Sequence, residues 1–193
     1  MSENEEAIES MMKSAIESGQ IVLHFQSIVD HNEEPFYHEA LLRLAYHQTL
    51  QSPKLFLKIA KERHFYDTLF ESIANKVAEF SVQTGLRLAL NLTAEDLLDA
   101  HHVDYLKNCF SGKNIILEVY CEKDSPIETL KKVILELKQA GIMIALDNVK
   151  TPELIKAFKE GTIDVIKVHG DLIRNLALDE TAQRTCQKMV ELA

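Results

Sequence analysis

Six polar side chains of the types that hold metals and phosphates stand within or at the ends of apolar runs. Glu39 and Arg43 lie in Phe36-Tyr37-His38-Glu39-Ala40-Leu41-Leu42-Arg43-Leu44, and Asn91 follows Leu88-Ala89-Leu90. Glu118 follows Ile115-Ile116-Leu117, Asp147 follows Ile142-Met143-Ile144-Ala145-Leu146, and Lys167 follows Ile163–Ile166. Glu39, Glu118, Asp147 and the Asn91 amide are hard oxygen donors, suited to Mg²⁺ or Mn²⁺ rather than Zn²⁺. Arg43 and Lys167 add positive charge suited to a phosphate. One Asp or Asn at a strand end usually caps a helix or shapes a turn. The same character repeated over five strands is read here as one site.

The elements that must carry these groups follow from spacing. With a period of two, the run 36–44 puts Glu39, Leu41 and Arg43 on one face and His38, Ala40, Leu42 and Leu44 on the other. Both faces are mostly apolar, so a strand covered on both sides is expected, and charges buried there need partners. Gln20–Asp30 reads as a preceding strand. The polar turn 30–35 leaves no room for a crossover helix, so the two strands should form an antiparallel hairpin.

Helices are predicted from Ser52-Pro53 to about Arg63 and from about Tyr66 to Thr84, the second ended by Gly85. A strand Leu86–Asn91 follows, and Thr93 caps a further helix with Glu95 and Asp96 in its first turn. Ile115–Val119 is a strand, and a helix runs from Ser125-Pro126 to Ala140, ended by Gly141. Ile142–Asp147 is a strand, and a helix over Pro152–Glu160 ends at Gly161. Ile163–Val168 is a strand, and Asp171–Ala193 is helical or mixed. Strands alternating with helices imply a parallel sheet covered by helices, either an open doubly wound sheet or a (β/α) barrel. No glycine-rich phosphate loop follows any strand. In a barrel, the carboxyl ends of the strands would converge on one mouth.

The 193 residues suffice for one domain with a sizeable core, and 46% hydrophobic with 26% charged residues is an ordinary globular composition. Residues 1–19 read as an amphipathic helix or linker, with Ile8, Met11, Met12, Ala15 and Ile16 at helical spacing and Gly19 as a stop; residues 20–193 form the domain. A net charge of −9 speaks against a surface that grips duplex nucleic acid. Cys109, Cys121 and Cys186 lack a CxxC pair and read as reduced thiols. No apolar run approaches the ~20 residues that cross a bilayer, so a cytoplasmic chain is expected. The His101-His102 pair lacks metal spacing and reads as solvated surface. His38 has no partner histidine at zincin spacing, and His169 reads as structural or surface.

The run Phe25-Gln26-Ser27-Ile28-Val29-Asp30, then Glu39-Ala40-Leu41-Leu42-Arg43, resembles the opening of the EAL domain family. Asn91, Leu117-Glu118, Leu146-Asp147 and Ile166-Lys167-Val168 follow in that family's order and at similar distances. The resemblance implies a modified TIM (β/α) barrel whose first strand runs antiparallel. By the same resemblance, about six of its strands are expected here, in a barrel incomplete at its C-terminal side. It further implies binding of the second messenger cyclic di-GMP and, in active members, hydrolysis to pGpG with two divalent cations, Mg²⁺ or Mn²⁺.

By that resemblance Glu39, Asn91, Glu118 and Asp147 match metal ligands. Lys167 matches the lysine near the attacking water and, with Glu39, the catalytic set; Gln26, Leu41 and Arg43 match substrate contacts. The departures are specific. The family's paired aspartates and Phe-Gly-Thr-Gly loop appear as Asp147-Asn148-Val149-Lys150-Thr151-Pro152, so the second metal loses a carboxylate. His169 stands where an aspartate is usual, Ser27 replaces a proline, and Cys121 falls where an acidic residue is common. The expectation is a degenerate, non-catalytic EAL module with weakened or lost cyclic di-GMP binding. It would act through that ligand, a protein partner or self-association at an open barrel edge. A fragment of an active phosphodiesterase is the alternative, and a scaffold that binds no nucleotide is the third reading.

Overall fold

The structure is a computed structural model and describes residues 3–18, 21–46, 49–51, 53–158, 162–174 and 176–192. The chain divides into two compact units, Met1–Leu90 and Asn91–Ala193.

In the first unit, helix α1 (Glu3–Glu17) places Ile8, Met12 and Ala15 on one buried stripe. It packs on α2 (Pro53–Glu62) and α3 (Tyr66–Thr84). Strands β1 (Ile21–Val29) and β2 (Pro35–Tyr46) form the expected antiparallel hairpin. Its turn is held by Asp30, whose Oδ1 accepts from the amides of Asn32 at 2.7 Å and Glu34 at 3.1 Å. In β2, Tyr37 and Ala40 are buried while His38, Glu39, Leu41, Leu42 and Arg43 are half-buried, so no polar face faces water. A three-residue strand β3 (Thr49–Gln51) pairs antiparallel with β2. Three residues are too few for alternation to announce, and the reading of the sequence has no strand there. The start of β4 (Leu88–Thr93) pairs parallel with β2, with Glu39 opposite Ala89.

Helix α3 has the expected bounds. Leu69, Phe70, Ile73, Ala74, Val77 and Ala78 recur at helical spacing on its buried side. Gly85 ends it in the left-handed conformation, φ 71°, donating its amide to Ser81 O at 2.8 Å. The expected Gly19 and Gly161 stops, the Gln20 start and the Ser52 cap lie outside the described residues.

In the second unit, the single helix expected after Thr93 is two: α4 (Ala94–Leu98) and α5 (Ala100–Phe110). Asp99 interrupts it because its carboxylate accepts from the amides of His101 and His102, starting a new helix. Strand β5 (Ile115–Tyr120) is buried along Ile115–Val119, as a strand covered on both faces should be. Helix α6 (Ile127–Gln139) starts after Pro126, with no side-chain cap; Ser125 instead closes a turn through its amide to Glu122 O.

Strand β6 (Met143–Val149) runs two residues past its expected end, and α7 (Pro152–Ala157), β7 (Val165–Val168), α8 (Gly170–Arg174) and α9 (Glu180–Leu192) follow. β5, β6 and β7 are parallel neighbours. The architecture is therefore mixed α/β: the first pair is antiparallel as expected, β3 adds a short second antiparallel pairing, and β2–β4, β5–β6 and β6–β7 are parallel. No helix among the described residues is long and apolar enough to cross a membrane.

Candidate functional site at the strand ends

Three of the expected site residues meet in the second unit. Glu118 sits in the apolar strand β5 with 0% exposure, and the Lys167 ammonium on β7 donates to its Oε2 at 2.6 Å. The same ammonium stands 3.4 Å from Asp147 Oδ1 on β6. A buried carboxylate needs a cation or strong donors to remain charged, and Lys167 supplies one. Its long apolar stem leaves the side chain only 22% exposed.

The backbone explains how one lysine reaches two strands. On the β6–β7 ladder, Leu146 pairs with Ile166 and Val149 with Val168. Asp147 and Asn148 together thus oppose the single residue Lys167, which is a β-bulge. Asn148 takes the strained position, φ 60°, which asparagine tolerates better than most residues. Such a bulge bends the strand and re-aims its side chains; here it accompanies an Asp147 carboxylate aimed at Lys167. Asn91, on β4, is exposed.

The other expected residues lie in the first unit. Gln26 is the register partner of Glu39, His24 of Leu41 and Val22 of Arg43, so these side chains share one face of the hairpin. Gln26 is exposed, while Glu39, Leu41 and Arg43 are half-buried. Arg43 Nη1 donates to Leu42 O at 2.8 Å. On the opposite face, Ser27 Oγ and His38 Nδ1 are 3.0 Å apart.

The donor chemistry of Glu118 and Asp147 suits a hard cation, but their arrangement does not fit one. The Lys167 ammonium holds the position beside both carboxylates. Among the described residues, no group of three or more His, Cys, Asp or Glu side chains is placed to hold a metal ion.

Two features differ from the sequence reading or escape it. His102 is buried, at 3% exposure, rather than solvated, with Nδ1 4.0 Å from Asp96 Oδ1. The signal was present, since His102, Leu106 and Phe110 share one helical face. A cavity of about 620 Å³ also opens in the second unit, lined by Tyr120, Cys121, Ile127, Asn148, Lys150 and Leu154 among others. Burial pushes the Cys121 thiol up to about 11. Tyr120 and Lys150 are separated by 30 positions of sequence, and nothing in their spacing announces a shared wall.

The sequence profile of the EAL domain matches residues 9–193. The PaMucR phosphodiesterase in its c-di-GMP complex superposes with a TM-score of 0.78 at 22% identity, over 96% of this chain and 81% of that one. An EAL domain protein from Listeria monocytogenes gives 0.79 at 16% identity, over 95% and 77%. The FimX EAL domain from Pseudomonas aeruginosa, bound to c-di-GMP, gives 0.78 at 18% identity, over 95% and 79%. No curated protein matches the chain. Shared fold and matching profile lead to one conclusion: this chain belongs to the EAL domain family.

Proposed function

We propose that this chain is an EAL-type domain of cyclic di-GMP signalling that recognises the nucleotide, or a protein partner, without hydrolysing it. Membership of the family and the c-di-GMP carried by PaMucR and FimX support the signalling role. Recognition would fall to Gln26, Leu41 and Arg43 on the hairpin face, with Lys167 and Arg43 offering positive charge to phosphate.

The observation that carries the non-catalytic part is Asn148, a neutral residue at the bulge beside Asp147 where the resemblance expects a second carboxylate. Loss of one ligand from a coupled two-metal site costs orders of magnitude in rate. The second reading is a phosphodiesterase that uses Mg²⁺ or Mn²⁺ with Glu39, Asn91, Glu118 and Asp147 as ligands and Lys167 beside the water. It is favoured by the presence in the sequence of all of Asn91, Glu118, Asp147 and Lys167.

Incubating the full chain with cyclic di-GMP and Mn²⁺, then separating the nucleotides, decides between them. No pGpG is expected, and calorimetry should give a dissociation constant of about micromolar or weaker. Turnover at about 1 s⁻¹ or faster, within the ordinary enzyme range, overturns the non-catalytic reading. Self-association along β1, whose described ladder is with β2, belongs to the same reading. A concentration-independent monomer in sedimentation removes that part.

A further inference from the structure

We infer that Lys167 is a built-in counter-ion that stands in for a divalent cation between Glu118 and Asp147, so that this cluster excludes metal. The inference concerns the same site but stands without the nucleotide, because it rests on the charges and the backbone that positions them.

Glu118 carries its carboxylate on a strand otherwise apolar from Ile115 to Val119 and is wholly buried. A charge in such a place is kept only by a partner at close range. Lys167 meets it at 2.6 Å and reaches Asp147 at 3.4 Å, so one ammonium contacts both acids. The bulge sets Asp147 and Asn148 against Lys167, so the backbone register brings the lysine within reach of the Asp147 carboxylate. Asn148, at the doubled position, is neutral and adds no negative charge that would draw in a second cation.

A divalent ion entering the cluster would have to displace Lys167 from Glu118 or share the space with it. The first leaves an ammonium poorly paired, and the second places like charges in contact in a medium that screens them poorly. Two carboxylates and one ammonium leave one net negative charge, and a dication added beside the ammonium reverses it to one net positive charge; only a dication without the ammonium balances the pair. Removing the lysine charge should therefore open a cation site that the natural chain keeps shut.

The test uses the full chain and Mn²⁺ alone, with no nucleotide. Mn²⁺ uptake is read from loss of the sharp aqueous spin-resonance signal and from the shift of the thermal unfolding midpoint. The chains compared are the natural one, Lys167→Met, Lys167→Arg and Glu118→Gln. The natural chain and Lys167→Arg are expected to take up no Mn²⁺ at this cluster, whereas Lys167→Met should bind it at least about tenfold more tightly and regain unfolding temperature as it does. Uptake by the natural chain that Glu118→Gln abolishes overturns the inference, as does a folded Lys167→Met chain that ignores Mn²⁺. Should Lys167→Met fail to fold, the natural chain decides alone: uptake sensitive to Glu118→Gln refutes the counter-ion role, and its absence supports it. Because nucleotide is never added, failure here is separable from failure of the cyclic di-GMP reading.

Discussion

The Lys167 ammonium lies 2.6 Å from Glu118 Oε2, and the carboxylate it meets has no exposed surface. Removing one partner of such a pair leaves the other charge buried, which costs about 3–5 kcal/mol in fully buried cases. Lys167→Met should fall near the low end, about 3 kcal/mol, because the Lys167 side chain is 22% exposed, so the site is not closed to water. The double variant Lys167→Met, Glu118→Gln should recover about 1–2 kcal/mol of the summed single losses, since nothing charged is left unpaired between them. Urea unfolding of the four chains measures this. Strict additivity would show that the contact carries no coupling.

Asn148 holds the bulge at φ 60°, so its tolerance for that conformation should be visible in stability. Asn148→Gly removes the clash altogether and should be neutral or slightly stabilising. Asn148→Val places a β-branched residue in the left-handed region and should cost about 1–2 kcal/mol. Asn148→Asp keeps a residue type that accepts this geometry and should change stability by less than about 0.5 kcal/mol. Thermal unfolding midpoints rank the three. Equal stability of the Val and Gly variants would mean that the bulge is not held by Asn148.

Thr93 and Asp96 close α4 by a reciprocal capping box. Asp96 Oδ2 accepts from the Thr93 amide at 2.7 Å and from its hydroxyl at 2.8 Å. Thr93→Ala removes the cap oxygen and should cost about 1 kcal/mol. Asp96→Ala should cost more, about 2 kcal/mol, because it strips a buried acceptor from two donors at once. Chemical denaturation checks the order, and a larger loss for Thr93→Ala would contradict it.

How far the chain could be read in advance differs from residue to residue for physical reasons. Helix α3 was legible at both ends because its apolar residues keep one period for five turns and Gly85 supplies the left-handed stop. Glu118 and Asp147 were legible as strand residues because each follows an unbroken apolar run, and Lys167 because it follows Val165-Ile166. Their pairing was not, since the partners are 49 positions apart and the ladder between β6 and β7 doubles a residue at Asp147-Asn148. A bulge has no signature beyond a residue that accepts positive φ, and Asn is also common in plain turns. The break between α4 and α5 escaped because Asp99 looks like any exposed helix residue until its carboxylate is seen accepting two amides. His102 was misjudged by its polar character, although it repeats with Leu106 and Phe110 on the buried side.

Cys121 gives a prediction in pH. Burial raises its thiol to about 11 from an ordinary 9.0, so it is protonated at neutral pH and a poor nucleophile. In the folded chain its alkylation by iodoacetamide should stay slow at neutral pH and rise only as pH approaches 11. In unfolded chain the same thiol should react readily from about pH 8.5. The sign of the linked stability follows. The folded form binds the thiol proton more tightly than the unfolded form, so the contribution is fully present below pH 9 and is lost as pH rises through about 11. Cys121→Ser should therefore flatten the loss of stability between those two values, an effect read from unfolding midpoints across alkaline pH. Rapid alkylation of Cys121 in the folded chain at neutral pH would show that the wall of the cavity it lines does not shield the sulfur.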